Sequence, residues 1–600
     1  GAELLRLCSV KGSQEELREV SRAVQGHALT MTLLGNYIAD ALDGDVRRWR
    51  EVPLGATETR PGERAQHVME AYDRWFEPGP ERAILRIVGL FDRPASAGCI
   101  AALRKEPAIR GLTDALVALT DTKWKLAVNR LSRTGLLAPT GKSDDGSLDA
   151  HPLVRECFGT MLERENPQGY RAAHRRLYEY LRDTTPELPD TFDGLQPLYQ
   201  AVSHGCRAGQ HEEALDGVFY PRIRRYDQHY SVTVLGAFGA DLATLAGFFE
   251  GDWRRPVASL TEATRSFVLS EAAFSLRALG RLREAGAPLK SSLDMCVALS
   301  HWVNAANAAS NLAQLHASSG ALHEALSMAK RTVELADRAG KDEWPWRVLS
   351  RCTLANVFCH LGNPENARLL FEEAERMQIK QQPQLPLLYA LQGRQFCELL
   401  LDLGEPREVE RRATQTLVWM RKERWLLDIA HDHLSLGCAL GMLEQRENAR
   451  PHFTQAIDML RGAGALEFLA SSLVLRAAFL REAGDRDSAR RDTDEALGLA
   501  RRSELRLVEC DACLEQARLA LDANDPAAAR AAFESARSLV DKCEYHRRDC
   551  ELALIEARLA LADGNRTAAQ VAYERARAVA TAEKLRACDK ELAAVAAAVV

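Results

Sequence analysis

The residues whose types and spacing suggest chemistry are few. Cys510-Asp-Ala-Cys513 has the spacing of a thiolate metal site, and Cys543 and Cys550 lie one repeat length onward. Cys510 and Cys550, however, stand forty residues apart at the same position of a repeat, and Cys513 falls at a core position, so no metal ligand is assigned. His431-Asp-His433 puts two imidazoles on a helix without a shared face and is read as structural. Gly141-Lys-Ser143 has the tail of a phosphate-binding loop, but Gly135 stands one residue too far ahead and the segment reads as a hairpin turn. Without that loop no cradle of backbone N–H groups awaits a phosphate. No Ser/His/Asp or Cys/His set stands out, so the chain is expected to have no catalytic residue and to be no enzyme.

The elements that position these residues are helices. The chain has 600 residues, with 78 Lys plus Arg against 84 Asp plus Glu, a net charge of -6. That balance offers no basic footprint for nucleic acid or an anionic membrane. Apolar runs are short and broken by charge, and the start (Gly1-Ala-Glu-Leu-Leu-Arg6) lacks the pattern of a signal peptide, so a cytoplasmic protein is expected. The 14 Cys are scattered singly on Ala-rich faces, as reduced core thiols would be. The chain opens in a helical pattern without an initiator Met, and we expect a piece whose N-terminal part is missing.

A repeat dominates the second half. A small residue follows a turn at Ala325, Ala367, Val409, Ala449, Ala489, Ala529 and Ala569, at spacings of 42, 42, 40, 40, 40 and 40. About twelve residues before these stand further small residues: Ala313, Ala355, Gly437, Ala477, Ala517 and Ala557. An aromatic often follows four residues after (Phe371, Phe453, Phe533, Tyr573), and Ala recurs seven after (Ala374, Ala456, Ala496, Ala536, Ala576). Antiparallel helices approach closely only where facing residues lack bulk, and one ring per repeat fills the groove between them. Earlier, less regular units are expected at His211-Glu-Glu-Ala214 and Leu279–Ala285, with a Gly- and aromatic-rich degenerate unit between them.

The first two hundred residues have a different pattern. Residues 12 to 45 read as helices, the second starting at Gly26. Helices over Ala83–Phe91, Ala97–Leu103 and Trp124–Leu131, a hairpin from Gly135 to His151 with its polar turn at Gly141–Gly146, and a helix from Leu153 describe a winged helix. Lys123, Lys125, Arg130 and Arg133 on its third helix read as a solvated basic face, and DNA contact is not expected.

The repeat resembles the tetratricopeptide repeat in a long variant of about forty residues. The order of modules resembles signal-transducing STAND ATPases, the group that includes NB-ARC proteins. That resemblance implies a helical subdomain over 1–75, a winged helix over 76–165, a helical linker with degenerate repeats over 166–300, and a solenoid over 301–600. The fold class is therefore mostly α, ending in an α-α superhelix. The resemblance also implies cofactor-contacting positions. Gly26-His-Ala28-Leu29 stands where the family has Gly-x-Pro-Leu, with Ala28 in place of Pro, and His151 stands where a His reads nucleotide phosphates, with Pro152 in place of Asp. No cofactor is expected in this segment, ATP or ADP being bound with an upstream phosphate-loop domain outside it. First-helix residues Asn307, Gln314, Asn356, Arg394, Glu398, Arg518 and Arg558 are the expected partner surface for a protein or peptide trigger. The implied function is the sensor and regulatory part of a bacterial signalling ATPase that oligomerises on activation, in antiphage defence or cell death, with the winged helix passing the trigger to upstream nucleotide-binding and effector domains. The alternatives are a stand-alone scaffold and a transcriptional regulator.

Overall fold

A computed structural model describes residues 1–54, 61–138 and 146–599. The chain divides into two compact units, Gly1–Pro189 with Gly194–Phe219, and Asp190–Asp193 with Tyr220–Val600. Among the described residues there is no named strand, and no single helix is long and apolar enough to cross a membrane.

In the first unit, Gln14–Ala23 opens with a reciprocal cap between Ser13 and Glu16, and Ala28–Ala41 is capped by the His27 ring. Helices Pro80–Val88, Ala97–Leu103, Asp121–Arg133 and Pro152–Glu165 follow where the pattern places them. The chain after Pro80–Val88 crosses Pro152–Glu165 backbone to backbone at Gly89 and Gly159, where either Cβ would collide with the opposite main chain. Asp73 accepts from both Arg82 and Arg86, and Arg86 also reaches Glu165 at 2.5 Å. The turn of the expected hairpin lies outside the described residues as far as Asp145. At its base the Ala138 N–H donates to the Asp149 carbonyl at 2.8 Å, and Leu148 exchanges two backbone hydrogen bonds with Ala95.

The second unit holds two short helices, Tyr230–Thr233 and Phe238–Leu245, and then eight helix pairs. Repeat 1 is Glu262–Ala278 with Leu282–Ala298, repeat 2 Trp302–Ser318 with Leu322–Ala339, and repeat 3 Trp344–His360 with Pro364–Gln381. Repeat 4 is Ala390–Asp402 with Pro406–Glu423, repeat 5 Leu426–Met442 with Arg446–Ala463, and repeat 6 Leu466–Glu482 with Arg486–Ser503. Repeat 7 is Arg506–Asp522 with Pro526–Cys543, repeat 8 Asp549–Ala562 with Arg566–Ala582, and Asp589–Val599 covers the end.

The small-residue rule explains these pairs. Ala313, Ala355, Ala477, Ala517 and Ala557 are fully buried, as are Ala325, Ala367, Val409, Ala449, Ala489, Ala529 and Ala569 opposite them. In repeat 5 the ring of Phe453 takes the space left by Gly437, where a Cβ would meet it at 3.0 Å. Cys510 and Cys550 occupy equivalent places in neighbouring repeats, their thiols directed at the carbonyls of Ala536 and Ala576. Successive first helices touch one another along the array, which places them on the inside of the curve.

Candidate functional site

The inner face of the array is built from two rows on the first helices, one helical turn apart. Each residue of the first row follows a core position directly: Gln314, Asn356, Glu398, Arg518 and Arg558. Four residues on comes the second row, with Ser318, His360, Asp402 and Asp522. The first row was legible from the repeat, whereas the second carries the same periodic signal and was not singled out. Arg394 stands one turn before Glu398 on the same helix.

Around repeats 3 to 5 these rows converge. The Asn356 amide meets the His360 ring at 3.2 Å, and Arg394 pairs with Glu398 at 2.7 Å. Arg547, in the turn before repeat 8, donates to Asp402 at 2.8 Å and lies 3.5 Å from Glu398. Tyr545 of that turn packs edge-on against His360. Burial opposes the charge of Glu398, yet Arg394 and Arg547 outweigh it and hold the carboxyl below its usual range. At Asp402 burial wins over Arg547 and Arg548, and the carboxyl is raised. Burial pushes His360 and His431 down to about 3, so both rings are neutral. Three of the expected partner residues thus share one cluster.

A second cluster joins repeats 6 to 8. Arg481 donates to Glu515 at 2.6 Å, and Arg548 donates to Asp511 at 2.7 Å. Arg558 donates to Asp522 at 2.6 Å, and both Arg518 and Arg558 reach Glu591 at 3.3 Å. The two arginines named from the sequence meet through this one carboxylate. In repeat 2, by contrast, Asn307 accepts from Asn311 at 3.1 Å and Gln314 donates to Ser310 at 3.2 Å, within their own helix. None of the seven expected residues is fully exposed. Arg394 Nη1, Arg518 Nε and His360 Nδ1 nevertheless have no hydrogen-bond partner, so the layer holds unused polar capacity.

In the first unit His151 is exposed, and its Nδ1 accepts the Leu153 N–H at 3.2 Å. Gly26 and Ala28 are exposed at the head of a different helix, with Gly26 at φ +68°. Arg130 of the basic face is engaged internally, lying over the Trp75 ring and 3.3 Å from Glu81, while Lys123, Lys125 and Arg133 are exposed. His431, Asp432 and His433 are all buried, with His433 facing His452 at 2.7 Å between ring nitrogens.

The tetratricopeptide repeat family profile matches residues 305–380, within repeats 2 and 3. No curated protein matches the chain. Among solved structures the chain is similar to a signal transduction ATPase with numerous domains from Pyrococcus horikoshii that carries a tetratricopeptide repeat sensor. The identity is 13%, covering 96% of this chain and 71% of that one, with a TM-score of 0.35. It is also similar to a Rap protein complexed with competence and sporulation factor, at 13% identity over 71% of this chain and 96% of that one, with a TM-score of 0.36. The apo form of RapI is similar at 11% identity, 70% and 94% coverage, and a TM-score of 0.25. The array is a tetratricopeptide-type solenoid.

Proposed function

We propose that this chain is the sensor and regulatory portion of a STAND-type signalling ATPase, in which the repeats take a protein or peptide trigger and a winged helix over 76–165 passes the event to a nucleotide-binding domain. The observation that carries the sensor reading is the inner layer. Arginines, carboxylates and amides are aligned along successive first helices, and Arg394 Nη1 and Arg518 Nε are buried there without a hydrogen-bond partner, so the pairing within the layer is incomplete. The exposed imidazole of His151, at a helix head, suits a phosphate supplied with that domain. Residues Gly26, Ala28 and His151 are then contacts to a nucleotide held elsewhere. Partner engagement shifts the protein toward its signalling state only as far as the partner prefers that state.

The test compares what wild type and the Arg394→Ala/Arg518→Ala double variant capture from cells. Loss of a specific interactor from a variant that keeps the wild-type helix content and a cooperative melt supports the reading. An unchanged set of interactors overturns it. Calorimetry with ADP adds a second check: no binding is expected to this chain alone, and tight binding contradicts a nucleotide site outside it.

A further inference from the structure

The superhelix closes on itself. The first helix of repeat 1 touches that of repeat 6, the first helix of repeat 2 touches that of repeat 7, and the first helix of repeat 3 touches the His546–Arg548 turn before repeat 8. At repeat 4 the carbonyl of Asp402 accepts the backbone N–H groups of Arg586, at 2.9 Å, and Ala587. Ion pairs join Arg283 with Glu504 and, at 2.7 Å, Lys584 with Glu365 across the outer part of this seam, and the His323 ring lies 2.9 Å from Glu544. Further in, Ser318 and Arg277 both reach Glu467.

The turn residue of each repeat records which turns meet the seam. Repeats 1 to 4 all have glycine there: Gly280, Gly320, Gly362 and Gly404. A Cβ at Gly362 would lie 2.9 Å from His546 Cβ, and one at Gly404 would lie 2.6 Å from Arg586 Cβ. Gly280 and Gly320 are occluded in the same way by Ser503 and Cys543. Repeats 5 and 7 have the same left-handed backbone at Glu444 (φ +62°) and Asn524 (φ +56°), with side chains present. In repeats 6 and 8, Gly484 and Gly564 have no neighbour within 4 Å of the Cβ position. Backbone conformation alone therefore tolerates other residues at this position, and glycine is uniform where two superhelical turns press together.

We propose that the array is latched shut by the Tyr545–Arg548 turn, whose Arg547 fills the Glu398/Asp402 acidic pair that an arginine of the partner takes when the seam opens. This rests on the reading of the inner layer as the partner surface and adds its regulation and the partner's chemistry. Arg547 comes from a repeat far along the chain and acts there as an internal ligand. Its guanidinium bridges two carboxylates from one helix, a geometry that favours arginine over lysine in any replacement. The partner so selected is a basic, arginine-bearing segment.

The latch is tested on the whole chain by a zero-length carbodiimide crosslink read by peptide mass spectrometry. Wild type is expected to join Lys584 to Glu365, 219 residues apart. Gly362→Ala should lower the yield about tenfold by wedging the seam. Gly564→Ala pays the same backbone strain with no neighbour in the way and should leave the yield unchanged. No crosslink in wild type, or equal yields in the two variants, overturns the latch while leaving the inner layer's role to the capture experiment. For the occupant, a fluorescent hexa-arginine peptide should bind Arg547→Ala about tenfold more tightly than wild type, because the internal competitor is gone. The gain should vanish in Arg547→Ala/Glu398→Gln/Asp402→Asn. Equal affinity for wild type and Arg547→Ala, or a gain that survives the triple change, overturns the assigned occupant. Arg547→Gln replaces Arg547→Ala if the latter fails to fold.

Discussion

The first helices of the repeats carry two faces under different rules. Toward its own second helix, each presents a small residue, alanine or glycine in all but repeat 4, where Cys397 stands, and Ala449 and Ala489 opposite are fully buried. Toward the inside, most present polar or charged groups, and several of the charges are met from another repeat, as Arg481 by Glu515 or Asp402 by Arg547. The difference separates stability from specificity. The packing face is apolar and interchangeable along the array, so it holds the solenoid together without distinguishing one repeat from the next. The inner face is individual at every repeat, and recognition needs that individuality.

The comparison is broken most severely at the packing face. Phe453→Ala removes a fully buried ring set against Gly437 and Phe479, and a loss of about 3–5 kcal/mol is expected in chemical denaturation. On the inner face, Arg481→Ala leaves Glu515, only 1% exposed, without its close cation. A loss of about 3 kcal/mol is expected, and Arg481→Ala/Glu515→Ala should recover much of it, since the cost lies in the orphaned charge. An equal loss in single and double variants would show that Arg481 acts through packing alone.

The same division explains what could be read from residue order. Alanine and aromatic positions recur every forty residues because each repeat solves the same packing problem, so the helix pairs and their register follow from the pattern. Arg394, Glu398, Arg518 and Arg558 were reachable by counting from those positions. The role of Arg547 was not, because it depends on repeats 4 and 8 meeting after about one turn of the superhelix, which no local spacing records. Repeat 1 was signalled at Leu279–Ala285 and proves to be a full pair over 262–298. In the first unit the helices were legible, whereas the hairpin between Gly135 and His151 has few residues and little periodicity, and only its base is seen.

A smaller test concerns charge buried between repeats. Burial raises Asp432 to about 8 and Asp428 to about 7, while Thr416 donates to Asp432 at 2.7 Å. A carboxyl raised in the folded state holds its proton there and loses it in the unfolded chain, so its contribution is present at low pH and declines as pH rises toward 8. Burial lowers His431 and His433, which works in the opposite sense, but only below the ordinary imidazole range. Between about pH 6.5 and 8 the carboxyls therefore dominate, and Tm should fall with rising pH in that window. Asp432→Asn should flatten the fall, and an unaltered slope would remove Asp432 from the account.

The smallest effect separates the turns of the two halves of the array. Glu444 holds a left-handed backbone at φ +62° where repeats 1 to 4 have glycine, and its one ion pair, with Lys590 at 3.8 Å, is exposed. Glu444→Gly removes the Cβ strain of that conformation, about 1 kcal/mol, against a loss of similar kind from the greater freedom of glycine in the unfolded chain. A net gain of a few tenths of a kcal/mol is expected, with the Lys584–Glu365 crosslink unchanged. Gly362→Ala reverses both terms and adds the collision with His546, so it should lose stability and the crosslink together. If the two substitutions were to shift Tm by equal and opposite amounts, the turn glycines would serve backbone conformation only, and the seam would contribute nothing to their choice.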